Sequence, residues 1–322
     1  MKTRPRLAVI LGVLVAAFFI VVMPLVTWFA GVWTDYLWYV DLGQPQVFWT
    51  RIISQFAVGI GFGLATFVVL YGNLRLARTF APKATPVGMP EGTPVQVQEI
   101  VQRLRAGLGP VLDRATLWGS LFLSFIIATS MSSQWETFRL ALAKVPFGYA
   151  DPQFGVDVGF FVFRLPAFES ALSWMNDTLV LVTMLTLLVH VADGAIQPWA
   201  RLKGFAPHVK AHLSVLLAII VSSRAYAYWL DMYRLDFSPR GQVTGASYTD
   251  VHAQIPAYTI LIVVSIVTAV VLLLNIRYKG WRLPAIALGG WIAVSVLLGA
   301  VWPGLMQRFI VAPNEARLEA PY

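Results

Sequence analysis

Two groups of polar side chains stand where chemistry could be done. His208 and His212 are four residues apart, which sets two imidazoles on one face of a helix, and His190 with Asp193 offers two further donors across a short connection. A metal ion needs three or four converging donors and a second layer that orients them. Histidines near lysines at helix ends have a plainer interfacial reading, and no His-Glu-x-x-His motif is present, so no metal and no cofactor is expected. The second group lies in 228–256, where Asp231, Arg234, Asp236, Arg240, Asp250 and His252 sit between two apolar runs. Asp250 and His252 suggest an acid/base pair. Residues two apart point to opposite faces of a strand and do not meet on a helix, so they converge only in a turn. No nucleophile, base and orienting group can be assembled from the spacing, and catalytic residues are expected to be none. Arg224 falls inside an apolar run, where its long side chain can reach water or pair with Asp231 or Asp177.

The elements that hold these groups follow from composition. The 322 residues are 58% hydrophobic and 12% charged, with a mean hydropathy of +0.69. Soluble domains carry about twice that share of charge, so the chain reads as a membrane protein. There is no cysteine, which excludes disulfides, thiolate nucleophiles and cysteine-held metal centres.

The apolar runs predict an all-α, polytopic integral membrane protein with seven transmembrane helices at about 7–30, 52–74, 116–131, 171–191, 211–230, 256–276 and 283–302. The first is longer than a secretory signal core, which favours an uncleaved helix over cleavage near Ala30 and Gly31. Exterior loops are expected at 31–51, 132–170 and 231–255. The first is rich in aromatic rings (Trp33, Tyr36, Trp38, Tyr39, Trp49) that suit the headgroup layer. In the second, Pro152, Gly155, Gly159 and Pro166 argue against a continuous helix, and Phe160, Phe161, Val162 and Phe163 favour extended chain. Gly59 and Gly63 form a small-xxx-small pair for close packing, within the chain rather than between copies. Ile100, Val101, Leu104 and Leu108 predict a short amphipathic helix on the cytoplasmic membrane surface.

Charge sets the expected sidedness. With the N-terminus inside, the interior segments hold fifteen basic and four acidic residues, net +11, and the rest holds nine basic and twelve acidic, net −3. That split follows the positive-inside rule and puts the C-terminus outside. The overall charge of +8 and pI of about 9.8 thus reflect topology, and nucleic acid is not needed to explain them.

The segments DPQFGVDVGFFVFRLP (151–166), GASYTDVHAQIP (245–256) and QRFIVAPNEARLEAPY (307–322), with TDYLWYVDLG and VFWTRI near the start, resemble Uncharacterised Protein Family 0182, large bacterial membrane proteins. The resemblance implies a seven-helix membrane domain, here 1–306, followed by a large extracytoplasmic domain, with 307–322 as the exterior lead-in to an outer domain missing from this chain. It implies no biochemical activity. The expected role is a non-enzymatic anchor and scaffold in the bacterial plasma membrane, presenting exterior loops to envelope partners or to a second copy. A channel or transporter subunit is the alternative and a membrane enzyme the third reading. Few charges lie at mid-span and no inverted repeat is evident, which weakens the case for transport.

Overall fold

The computed structural model describes residues 9–12, 15–16, 18–80, 95–143, 145–193, 207–241, 244–278 and 280–320, the side chains of 95–108 excepted. Eight helices follow in order: α1 (Phe18–Asp41), α2 (Pro45–Thr79), α3 (Val95–Ser132), the short α4 (Trp135–Ala143), α5 (Phe160–Ala192), α6 (Pro207–Phe237), α7 (Asp250–Arg277) and α8 (Arg282–Leu318). All but α4 are long and apolar enough to cross a membrane, α3 through its part Gly109–Ser132. Among the described residues there is no strand, only an isolated antiparallel bridge between Ala150 and Asp157.

Contacts fix how the helices run. Gly59 faces Ser132 and Arg78 reaches Gly109, so α2 and α3 are antiparallel. Thr66 pairs with Trp174 and Phe80 stacks by His190, so α5 runs parallel to α2. Asn176 meets Ser223 and His190 meets His212, which sets α6 against α5; Tyr228 stacks on Tyr258, and Trp291 bonds Ser265, which adds α7 and α8 in alternation. One end of the bundle therefore gathers the start of α5, the close of α6 and the start of α7. The other gathers Phe80, His190, His208 and Asn275–Arg277 at the end of α7.

α6 is the most deeply buried span, and α1 and α8 are peripheral. Leu70, Leu74, Val182 and Leu216 pack where α2, α5 and α6 meet, and Ala218, Val221, Ala269 and Leu272 join α6 to α7. Outward faces carry bare apolar side chains such as Trp118, Phe122, Val263 and Ile286, which suits a lipid solvent. At the glycine pair, a Cβ on Gly63 would stand 2.7 Å from Ala128 Cβ, and one on Gly59 3.0 Å from the Ala128 carbonyl oxygen. The pair serves packing of α2 on α3 within the chain.

Among the described residues five turns are of the wide π type: Phe18–Val22, Phe160–Arg164, Asp250–Gln254, Leu297–Val301 and Gln307–Val311. Each ends two residues before a proline, respectively Pro24, Pro166, Pro256, Pro303 and Pro313. A proline inside an α-helix clashes with the carbonyl four residues back. Lengthening the turn moves that carbonyl away, and the chain bonds five back instead: Leu165 N–H to the Phe160 carbonyl, Ile255 to Asp250, Trp302 to Leu297 and Ala312 to Gln307.

The structure corrects three expectations, the first of them through this device. Residues 160–163 are helical, not extended, because the wide turn accommodates Pro166. The aromatic stretch expected as a loop at 31–51 is helix on both sides of a turn at Leu42–Gln44, closed by packing of Tyr36 and Tyr39 on Phe48. The amphipathic stretch near Leu104 is the first part of α3, continuous through Pro110, and not a separate surface helix. The helices also extend into the loops expected at 132–170 and 231–255, which contain α4 and the ends of α5, α6 and α7.

Candidate functional site

The histidines form a directed chain at one end of the bundle. Asn73 donates its amide N–H to the Val69 carbonyl at 2.6 Å, which leaves Asn73 Oδ1 facing His212 Nε2 at 3.1 Å. An amide oxygen only accepts, so His212 carries its proton on Nε2 and presents a bare Nδ1. His190 Nε2 lies 3.3 Å from that Nδ1 and must donate to it. The proton of neutral His190 is then spent, and its Nδ1 lone pair is left buried with no partner among the described residues. Phe80 packs against the rings of His190, His208 and His212, at centroid distances of 6.3, 5.1 and 5.8 Å.

The other two candidate ligands turn elsewhere. His208 is exposed and its Nε2 donates to the Phe80 carbonyl at 3.2 Å. Asp193 approaches Arg78 at 3.9 Å, and Arg78 is held by Asp113 at 3.0 Å and by the Gly109 carbonyl at 3.2 Å, an arrangement that ties the ends of α2 and α5 to the start of α3's apolar part. Among the described residues no three His, Cys, Asp or Glu converge as a metal would need. Chemically, the cluster offers one acceptor nitrogen in an apolar box.

At the opposite end Asp250 is wholly buried. It accepts from Arg240 Nη1 at 2.7 Å, from Ser247 Oγ at 2.8 Å and from the Ser247 N–H at 3.1 Å. His252 turns away, stacked on Tyr248 at 4.1 Å and exposed, with Nδ1 near the Tyr248 carbonyl. The two do not form an acid/base pair. Asp250 instead fixes the loop that opens α7, with its charge met by three donors.

The tail of α8 lies on this loop. Glu319 accepts from the Tyr248 N–H at 3.3 Å, Thr249 hydroxyl bonds the Gln307 side chain, and Val311 is fully buried. Beside it, the 145–159 loop wraps around Asp157, whose carboxylate accepts from Phe147, Gly148 and Gly159 N–H groups at 3.1, 2.9 and 2.7 Å. Those bonds, Phe147's foremost, hold the Asp157 carboxyl below the usual range. Phe154 and Phe161 pack on Tyr233, joining this loop to the end of α6. Arg224 lies 5.2 Å over the Tyr228 ring, one helical turn on, and Asp231 pairs with Arg234 at 3.8 Å.

Sequence reasoning missed Gln254. It is buried, and its Nε2 donates to the Gly299 carbonyl of α8 at 3.2 Å. Gly299 is four residues before Pro303, so this is the carbonyl whose helical partner the proline removes. The signal was present in Pro303, but the identity of the rescuing donor depends on how α7 meets α8.

The sequence model of the uncharacterised protein family UPF0182 matches residues 11–322. A UPF0182 protein of Streptomyces coelicolor is 34% identical over 92% of the chain, one of Thermobifida fusca 31% over 100%, and one of Desulforamulus reducens 33% over 100%. The chain spans only 29%, 31% and 35% of those relatives' own lengths. No solved structure matches it.

Proposed function

The chain belongs to the uncharacterised protein family UPF0182, and from that premise we propose that it is a membrane-embedded anchor whose ordered end loops form a platform for the part of the longer relatives that lies outside the match. The observation that carries the reading is the seating of 307–320 on the residues that open α7, through Glu319 on Tyr248 and Gln307 on Thr249, with Val311 fully buried between them in sequence. A flexible leash would gain nothing from such contacts; a fixed foot for a larger body would. In this reading the N-terminus is cytoplasmic, the platform faces outward from the bacterial plasma membrane, and its partners are envelope proteins or a second copy.

Two measurements test it. Reporter fusions after Lys83 and Lys203 read cytoplasmic, and fusions after Ala150 and Gln242 read exterior. A cysteine pair at Tyr248 and Glu319 crosslinks in intact cells with a reagent that does not cross membranes. A cytoplasmic signal at Gln242, or no crosslink in well-expressed protein, overturns the platform.

A further inference from the structure

Near the midpoint of α5 stands a carboxylate with nothing to hold it. Asp177 is exposed at the bundle's side and makes no hydrogen bond or ion pair among the described residues, and its neighbours are already committed. Asn176 accepts from Ser223 at 2.5 Å, the Trp174 indole donates to Thr66 at 2.9 Å, and Arg224 lies over Tyr228. An unpaired carboxylate within a membrane helix is costly, and such residues face cavities or partners.

Asp177 faces a cavity. Between the last turns of α3 and the first half of α5 is a space of about 270 Å³, whose wall includes Ser130, Gln134, Ser173, Trp174, Asp177 and Thr178. Thr178 supplies a second, independent sign. The Thr178 hydroxyl borders this space and is buried and unbonded among the described residues; Thr116 and Thr183 bond the carbonyl four residues back, and Thr186, like Thr178, does not.

We propose that this cavity binds a primary ammonium group, carried by a small amine or by a lipid headgroup. The polar wall consists of hydroxyls, an amide and one carboxylate, and so it suits a hard cation with several N–H donors. A single negative charge matches a monovalent cation, whereas divalent ions draw on several carboxylates. Trp174 adds an aromatic wall, which attracts ammonium groups. At about 270 Å³ the space is more than a bare alkali ion fills and suits an ethanolamine-sized group. The site is independent of which way the bundle faces.

The test uses the full chain in nanodiscs, with thermal unfolding as the readout. Ethanolamine is titrated into discs of phosphatidylglycerol alone, and a second set of discs contains phosphatidylethanolamine. The wild type is stabilised saturably in at least one arm; a response to free ethanolamine assigns a soluble amine, and a response only to phosphatidylethanolamine assigns the headgroup. Asp177→Asn weakens the apparent affinity roughly tenfold or more, and Thr178→Val weakens it less. Ser173→Leu, which fills the cavity and keeps the carboxylate, abolishes the response and stands in if Asp177→Asn fails to fold. Equal stabilisation by sodium or potassium at the same ionic strength, or identical responses from wild type and Asp177→Asn, overturns the proposal.

Discussion

Asp157 and Gln254 are alike in one respect: each gives its polar atoms to backbone that would otherwise go unpaired. Asp157's folded pKa lies below its unfolded value, so its contribution is present above the unfolded pKa and is lost as pH falls through the folded one. The Phe147 and Gly148 amides therefore keep slow hydrogen exchange from neutral pH down to about 4, the ordinary carboxylate range, and lose it only in stronger acid. Asp157→Asn removes that protection at every pH. Gln254→Leu leaves the Gly299 carbonyl without a donor in apolar surroundings and lowers stability by about 1–3 kcal/mol, read as the unfolding midpoint in detergent. Thr259→Val, on an exposed face of the same helix, changes it by less than about 0.5 kcal/mol. The histidine chain belongs at this scale too: Asn73→Leu removes the acceptor opposite His212 Nε2, so the direction of donation from His190 to His212 is no longer imposed.

At the scale of elements, the tightest joint is between α2 and α3. Gly63→Val places a methyl-bearing Cβ against Ala128 and forces the helices apart, which costs about 1–3 kcal/mol; Gly61→Val, at a glycine with open space around it, costs less. The same comparison shows what the sequence made legible. Seven apolar runs predicted seven apolar helices, because hydrophobic length alone decides whether a helix can cross a bilayer. The glycine pair was legible as packing, since spacing puts Gly59 and Gly63 on one face. The helix limits at Pro166 and Pro256 were not, because local propensity treats proline as a stop and cannot register that a wider turn removes the clash. Asp250 with His252 looked like chemistry in one dimension, and only the fold showed that Arg240 and Ser247 claim the carboxylate while His252 stacks on Tyr248.

For the molecule as a whole, stability is graded from the buried α6 outward to the peripheral α1 and α8. The tail of α8 is held at a few points, and Val311 is the most buried of them. Val311→Ala removes roughly 1–3 kcal/mol of apolar burial, and protease added to the purified protein then cuts within 312–320 before it cuts 145–159. The five wide turns carry a further consequence for that tail. Each contains about one residue more than the α turn it replaces, and one residue corresponds to about 100° around a helix axis. Two such turns lie in α8, so the azimuth at which Glu319 leaves the helix is set by a residue count made upstream. Deleting one residue from Gln307–Val311 swings Glu319 away from Tyr248 without altering either side of the contact.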